Sequence, residues 1–247
     1  MVSRYFQHAP AVWAAHPDLV AGAVYATGLT ATVPVAPELP VEPVVARYLA
    51  IARARLAGGT EADGTEAKLP EIQAWRRAFG RMGLKPTQYR CASESLLRRL
   101  RKEGDLPRIH PLIDLCNAIS VAFAIPVAAL DASRIAGDLR VRPATGDERY
   151  LAFSGEVEHP EPGELVFADA GGEAHARRWT HRQSGHSAVR ADTTSVLIVA
   201  EAMHDSAPSD VPKLVAAVAD ELSALWSVTP SMGALSEPGS RFAFPLP

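Results

Sequence analysis

Apolar residues recur at helical spacing in several stretches of the chain. Ile72, Trp75 and Phe79 share one face after Pro70, a residue that suits the first turn of a helix. Ser93 stands where a helix N-cap is expected, and Gly104 stands where that helix would end. This periodicity predicts helices over 44–52, 70–82, 93–104, 109–123 and 211–226.

Other apolar stretches alternate with polar residues or run continuously over a few positions, which is typical of strands. They predict strands over 20–29, 139–142, 164–169 and 196–200, the last of which ends at Glu201. We expect short strands and turns over 1–35, an exposed loop over 58–68 and an irregular tail after Val228. Because helices and strands mix without a regular βαβ rhythm, the expected class is α+β, with mixed or antiparallel sheets and packed helices.

Composition narrows the setting of this fold. The chain has 247 residues, of which 47% are hydrophobic and 21% charged, as in an ordinary globular protein. It has two cysteines, Cys91 and Cys116, and no apolar leader, so we expect neither a disulfide framework nor secretion. The sequence favours small core residues at both cysteines, and mild acidification of the Cys91 thiol by the neighbouring Arg90 is the alternative. Without a long apolar run for a membrane helix, the expected location is cytoplasmic.

Positive charge is concentrated in one part of the chain. Residues 76–108 contain ten Lys and Arg against three Asp and Glu, a net charge of +7, whereas the whole chain carries −3. Four of these cations fall on the exposed side of the helix predicted over 93–104: Arg98, Arg99, Arg101 and Lys102. Phosphates are bound mainly by Lys and Arg, so these residues are candidates for RNA binding. A solvated helix face with no ligand is the alternative.

Residues with catalytic or metal-binding chemistry form no familiar motif. His175, His181 and His186 lie close in sequence to Asp169 and Asp192, but their spacing matches no metal site. Neither a Gly-x-Ser-x-Gly elbow nor a Walker or dinucleotide-binding loop follows a strand. The sequence therefore predicts no metal and no cofactor, and Glu201 at its strand end is either a solvated residue or part of a pocket.

Four segments in the centre of the chain, residues 106–117, 126–131, 137–148 and 194–202, carry motifs in a fixed order. Together they resemble the editing domain of the bacterial phenylalanyl-tRNA synthetase β subunit, the B3/B4 domain. Residues 106–117 resemble its Arg-Pro-x-Asn-Asn-x-Val-Asp-x-Thr-Asn helix, and 126–131 its Gln-Pro-Leu-His-Ala-Phe-Asp segment. Residues 137–148 and 194–202 are similar to its Gly-x-Ile-x-Val-Arg hairpin and its Thr-x-x-Ile-x-Leu-Glu-Ser-Ala strand. The resemblance implies a single domain over 1–247, with an N-terminal extension over 1–70, a core over 71–205 and a C-terminal helix and tail over 206–247.

The resemblance also assigns residues. It places Glu201 where the family contacts the phenolic hydroxyl of tyrosine wrongly attached to phenylalanine tRNA. Asn117 and Cys116 stand at the family's Thr-Asn pair, and Ala128 stands at a family histidine. The family's glycine-rich strand is replaced by residues 178–183. Within this segment, residues 179–182 resemble the branch of the family whose members are free-standing proteins. The substrate-binding candidates are Glu201, Cys116, Asn117, Trp179 and Arg182, and the catalytic candidates are His181, Asn117 and Thr194.

Three functions follow from the resemblance. The first is a tRNA-binding protein that deacylates mischarged aminoacyl-tRNA in trans, with the amino-acid moiety in a pocket and with polar groups positioning the attacking water. The second is a non-catalytic module that binds tRNA or an amino acid. The third is a small-molecule or protein-interaction domain on the same fold.

Overall fold

The structure, a computed structural model, describes residues 3–30, 41–57 and 65–245. It confirms the expected α+β class with mixed and antiparallel sheets. The helices are α1 (Pro10–Ala15), α2 (Val41–Ala57), α3 (Pro70–Arg81), α4 (Ala92–Glu103), α5 (Pro111–Phe123) and α6 (Ala207–Trp226). The strands are β1 (Ser3–His8), β2 (Val20–Thr27), β3 (Val127–Asp131), β4 (Leu139–Pro143), β5 (Tyr150–Leu151), β6 (Val157–Glu158), β7 (Leu165–Ala168), β8 (Ala174–Arg177), β9 (Arg182–Gln183), β10 (Ser195–Ala202), β11 (Ser231–Leu235) and β12 (Arg241–Pro245).

Two sheets form the centre of the molecule. The larger has the order β12-β1-β4-β7-β8-β9, and its β1–β4 pair is parallel whereas its other pairs are antiparallel. The smaller is antiparallel throughout, with the order β11-β2-β10-β3. Strands β5 and β6 form a separate hairpin. Strands from both ends of the chain are therefore inserted beside the central ones.

Strand β10 is the most buried element, since all eight of its residues are buried. One side of its sheet packs closely on α6. The backbone of Gly22 in the adjacent β2 is so near this helix that an added Cβ would lie 2.5 Å from Val215 Cγ1. Residues alternate across a strand, so Val199 and Glu201 face the other way, where they share a pocket with Phe167 of the larger sheet. The interface between the two sheets thus holds the candidate site.

The helices agree with the periodicity at most positions. Pro70 begins α3, and Gly104 ends α4 in the left-handed region with a φ of 80°. Ser93 is not the N-cap of α4: Cys91 occupies that position without a side-chain cap, and Ser93 is buried as the second residue of the helix. The loop predicted over 58–68 falls mostly outside the described residues, apart from a short 3-10 turn over Thr65–Lys68.

Both ends of the chain are more regular than expected. The N-terminal segment contains the short helix α1, which the run of strands and turns predicted there did not include. The tail predicted as irregular after Val228 forms β11 and β12, where Phe242 and Phe244 are buried and alternate with exposed Arg241 and Ala243. Glu201 does not end its strand either, because β2 pairs with β10 through Ala202.

Both cysteines are buried and free, so no disulfide links them. They are core residues, as the sequence favoured. Burial raises the pKa of the Cys91 thiol to about 12, which is the opposite of the alternative, acidification by Arg90. Within the described ranges, none of the helices is both long enough and apolar enough to cross a bilayer.

Candidate functional site

Glu201 is a buried carboxylate that two N–H donors hold in place. It is 2% exposed. Its Oε1 accepts a hydrogen bond from Trp179 Nε1 at 3.0 Å and lies 2.5 Å from His8 Nε2. Among the described residues, His8 Nδ1 is buried without a hydrogen-bond partner, so we assign the ring proton to Nε2. Trp75 Nε1 fixes the backbone by donating to the Glu201 carbonyl at 3.3 Å.

The Glu201 side chain opens into a small pocket between the two sheets, which we call the Glu201 pocket. Its volume is about 60 Å³, room for a few water-sized groups. Aliphatic and aromatic side chains form most of its surface, and the polar groups converge from the segment after β8. The lining residues are Ala92, Pro126, Val127, Ala128, Phe167, Ala176, Trp179, Thr180, His181, Arg182, Gln183, Val199 and Glu201.

The turn between β8 and β9 forms one wall of the pocket in an unusual backbone conformation. Arg178 and Trp179 both have positive φ, 46° and 59°. Bulky residues rarely adopt this region, which costs roughly 1–3 kcal/mol for each residue. Trp179 is fully buried, and its packing and hydrogen bond to Glu201 hold the turn. The turn thus keeps the left-handed geometry that glycine favours, in a segment where the family resemblance places a glycine-rich strand.

His181 contributes a basic nitrogen to the pocket. Its Nδ1 lies 2.7 Å from the Arg90 carbonyl oxygen, which can only accept, so the proton is on Nδ1 and Nε2 carries a lone pair. Burial lowers the pKa of His181, and the charges of Arg178 and Arg182 lower it further. His181 is therefore neutral at pH 7 and able to accept a proton.

Two more polar groups of this turn face the pocket. The Thr180 hydroxyl is buried and, within the described part of the chain, has no hydrogen-bond partner. Arg182 is held at its edge by Glu158, with its Nη2 3.2 Å from Glu158 Oε1. Thr180 and His8 were not predicted from the sequence, since no motif distinguishes a lone threonine or a histidine in an N-terminal strand.

The predicted site residues do not all meet here. Glu201, Trp179, His181 and Arg182 line the Glu201 pocket, and so does Ala128, at the family's histidine position. Thr194 is exposed and lies seven residues from Glu201 along β10, roughly 23 Å away. Cys116 and Asn117 lie on α5 outside the lining, and burial raises the pKa of the Cys116 thiol to about 12.

The cations predicted to bind RNA are mostly in ion pairs. Arg101 Nε lies 2.7 Å from Glu66 Oε2, and Arg98 lies 3.7 Å from the same carboxylate. Arg99 pairs with Glu103 at 2.8 Å on the surface of α4. Of the four, Lys102 is the one for which the described residues supply no acidic partner.

A serine, a histidine and an aspartate meet elsewhere in the molecule. His175 Nδ1 lies 2.8 Å from Ser187 Oγ, and its Nε2 lies 3.2 Å from Asp169 Oδ2. All three residues are buried, and Asp169 accepts backbone N–H bonds from Ala136, Gly171 and Glu173, so this group stabilises loops. Among the described residues, no cluster of three or more His, Cys, Asp or Glu could hold a metal ion.

Residues 74–210, more than half of the chain, match the B3/4 domain. The chain belongs to the B3/4 domain family. The matched region contains Trp179, His181 and Glu201, whereas His8 comes from the N-terminal segment outside it. The carboxylate of the matched region is therefore oriented in part by a strand that the B3/4 match does not include.

The chain is also similar to phenylalanine–tRNA ligase β subunits. It is 30% identical over 110 residues to that of Shewanella oneidensis, covering 42% of this chain and 14% of the relative. It is 34% identical over 74 residues to that of Cereibacter sphaeroides, covering 30% and 9%, respectively. With that of Photorhabdus laumondii it shares 27% identity over 132 residues, covering 53% and 16%. The chain thus spans less than a fifth of each of these relatives.

Among solved structures, an N-terminal fragment of the phenylalanyl-tRNA synthetase β subunit from Pyrococcus horikoshii aligns with 97% of this chain and 54% of its own. The sequence identity is 10% and the TM-score is 0.49.

Proposed function

We propose that this B3/4 protein binds tRNA and hydrolyses, in trans, the ester bond of a mischarged aminoacyl-tRNA in the cytoplasm. The amino-acid side chain would enter the Glu201 pocket. The observation that carries this proposal is the buried Glu201 carboxylate, oriented by Trp179 and His8 toward a pocket. The resemblance of the chain to the synthetase editing domain indicates the substrate class, aminoacyl-tRNA.

The pocket favours a side chain that carries a hydrogen-bond donor. Among the described residues, both donors to the Glu201 carboxylate approach Oε1. The other oxygen, Oε2, is therefore available to a ligand. A buried acceptor left without a donor is costly, so such a site rejects an analogue that lacks the hydroxyl or amine. The volume of about 60 Å³ accommodates a small polar group directly, and a larger ring requires the walls to move.

His181 is the group that activates water in this proposal. Its Nε2 accepts a proton from a water molecule whose oxygen attacks the ester carbonyl carbon, and the carbon–oxygen bond to the ribose then breaks. The proton passes to the departing ribose hydroxyl. The Thr180 hydroxyl supplies a donor that no other described residue uses, and Arg182 binds the substrate at the pocket edge.

A panel of aminoacyl-tRNAs tests the proposal. The panel pairs amino acids that differ by one hydroxyl: tyrosine with phenylalanine, serine with alanine and threonine with valine. We expect the wild-type protein to deacylate the hydroxyl-bearing member of at least one pair. We expect Glu201→Gln to lower the ratio of its kcat/KM values for the two members by about tenfold to a hundredfold, the worth of a hydrogen bond to a charged group.

Glu237→Gln is the matched control, since it makes the same chemical change on the surface. The proposal fails if no member of the panel is deacylated faster than in buffer, or if both variants behave alike.

The pH profile of this reaction tests the role of His181. Because the pKa of His181 is lowered, the neutral ring persists below its ordinary value of about 6.5. The deacylation rate, corrected for spontaneous hydrolysis, should be flat around neutral pH and fall only below about pH 6.5. His181→Gln should remove this acid limb along with most of the activity. An acid limb centred at or above pH 7 would exclude His181 as the base.

A non-catalytic module that binds tRNA or an amino acid is the second candidate. Ala128 supports it, because it lines the pocket at the family's histidine position and brings no chemistry. Binding of tRNA without deacylation of any ester in the panel would favour this candidate.

A further inference from the structure

An open groove lies next to the Glu201 pocket. Its walls come from α1, the end of α3 and the loop before β7, and its volume is about 710 Å³, within the range of small-molecule sites. Arg81, Tyr89 and Arg178 line it, together with His16. We call it the Tyr89 groove. Helix α1 lies outside the B3/4 match, so this groove is not built from the family core alone.

Three exposed cations at and after the end of α3 lack acidic partners among the described residues, and one of them, Arg81, lines the groove. Arg178, which also lines the groove, lies 3.9 Å from Glu164. Arg77, Arg81 and Lys85 are exposed, and none of them has a carboxylate partner among the described residues. Arg81 contacts His16 Nδ1 at 3.3 Å, but burial, followed by the charge of Arg81, lowers the pKa of His16 to about 4. His16 is therefore neutral, and it stabilises Arg81 without offsetting its charge.

The acids in the groove wall do not cancel this charge. Arg177 binds Glu164 with two hydrogen bonds of 2.9 Å, which leaves Glu161 as the other acidic wall residue. The arginines of α4 differ, because Glu66 and Glu103 pair with them. The groove therefore has more available positive charge than α4, the helix that the sequence favoured.

Aromatic and guanidinium groups lie together at the inner end of the groove. The Arg178 guanidinium is 4.9 Å from the centroid of the Tyr89 ring. The Tyr89 ring meets that of His181 edge-on at 5.3 Å, and His181 lines the Glu201 pocket. Unpaired nucleobases stack on such groups, and Lys and Arg bind the phosphates between them. Arg178 lines the groove and the next residues of the turn, Trp179 and Thr180, line the Glu201 pocket, so the two cavities are adjacent.

We infer that the Tyr89 groove binds a single-stranded 3′ end of RNA. Its phosphates lie on Arg81 and Lys85, and one base lies against Tyr89 and Arg178. The identity of that RNA as tRNA rests on the proposed function, whereas the groove itself rests on charge and geometry. An ester on the terminal ribose would then lie next to the Glu201 pocket.

Fluorescence anisotropy with 5′-labelled, unacylated tRNA tests the inference. We expect Arg81→Gln with Lys85→Gln to weaken binding by about tenfold and to lower the slope of log affinity against log salt by about two, one for each phosphate contact. Tyr89→Ala should weaken binding by about tenfold through lost stacking. The matched control, Arg98→Gln with Arg99→Gln, removes the same charge from α4 and should change affinity by less than about twofold.

The same tRNA with its single-stranded 3′ end removed supplies the second arm, and we expect it to bind about tenfold more weakly than intact tRNA. Equal affinity for trimmed and intact tRNA would overturn the inference, as would a loss in the Arg98 and Arg99 control as large as that in the groove variant. Circular dichroism checks that each variant is folded, which we expect because Arg81 and Lys85 are exposed.

The groove and the proposed function can fail separately. If hydrolysis is unchanged in the groove variants, the groove is not the RNA-binding site, but the proposed hydrolase function stands. If RNA binds through the groove and no ester is hydrolysed, the protein is not a deacylase, but the assignment of the groove stands.

Discussion

At the scale of single residues, Glu201 shows how one carboxylate becomes specific through its neighbours. A carboxylate has several acceptor positions and, in solvent, no preferred direction. Trp179 from the turn and His8 from β1 both approach Oε1. The rings of Phe6 and Trp13 pack on the His8 ring, each with its centroid 5.2 Å from the His8 centroid. The ligand-facing oxygen is therefore selected by Trp179, which lines the pocket, and by His8, which does not.

His8 is expected to act as a positioning residue. His8→Leu removes its donor, so the kcat/KM ratio between the hydroxyl-bearing and hydroxyl-free aminoacyl-tRNAs should fall by about tenfold. His8→Gln places an N–H near the original Nε2 and should restore most of the ratio. The measurement is the same paired deacylation assay, with thermal unfolding of each variant alongside. If His8 is only structural, both variants will lose stability while the ratio stays unchanged.

The sequence could supply some of these residues and not others. Glu201, Trp179, His181 and Arg182 follow from the motif resemblance, because they lie in the matched stretch of chain. His8 lies 193 positions from Glu201, and no local pattern connects the two. Thr194 directly precedes the strand that holds Glu201, so the extended geometry of β10 places the two residues at opposite ends of that strand. Contacts of this kind depend on strand order, which a periodicity does not specify.

At the scale of elements, long helices and several central strands were predictable, whereas the short helix α1 and the edge strands β11 and β12 were not. A helix such as α3 repeats its apolar face over several turns, so its pattern is strong. Helix α1 has six residues, too few for a helical period to emerge, and β12 lies in a Pro- and Gly-rich tail, a composition typical of irregular structure. The turn at Arg178 and Trp179 was also hidden, since positive φ is expected at glycine rather than at arginine and tryptophan.

The contact of β2 with α6 should depend on the absence of a side chain. A Cβ on Gly22 would lie 2.5 Å from Val215 Cγ1 and 2.8 Å from Val211 Cγ1. Gly22→Ala should therefore lower the free energy of unfolding by about 1–3 kcal/mol, the usual cost of overpacking. Urea denaturation measures this change.

Gly80→Ala is the control for that substitution. Gly80 lies in α3, and a Cβ there would meet nothing within 4 Å. Both substitutions reduce the conformational entropy of the unfolded chain to the same extent. Because alanine also has the higher helix propensity, Gly80→Ala should raise the free energy of unfolding by about 0.5 kcal/mol. If both variants lose stability equally, steric contact with α6 is not what Gly22 avoids.

At the scale of the whole molecule, segments from both ends of the chain complete the sheets of the family core. Strand β1 lies between β12 and β4, and β2 lies between β11 and β10. Arg4 of β1 further ties the ends together, because its guanidinium donates to the carbonyls of Ala132, Ile135 and Pro245. The single domain over 1–247 stays a prediction, and this interleaving is the physical reason to expect it in place of a core with dispensable extensions.

A fragment limited to 71–205 is accordingly expected not to fold. It would leave β10 with β3 as its one remaining neighbour, expose the face that α6 covers and remove the His8 donor from Glu201. Unpaired central strands are prone to aggregate, and so much exposed apolar surface cannot offset the chain entropy lost on folding. The fragment should show no near-ultraviolet circular dichroism and no cooperative thermal transition, whereas the full chain should show both. A cooperative transition in the fragment would mean that the core is autonomous and that the end segments are accessory. The Glu201 pocket would then have to form without His8, so the paired deacylation assay on that fragment would measure directly how much of the specificity β1 provides.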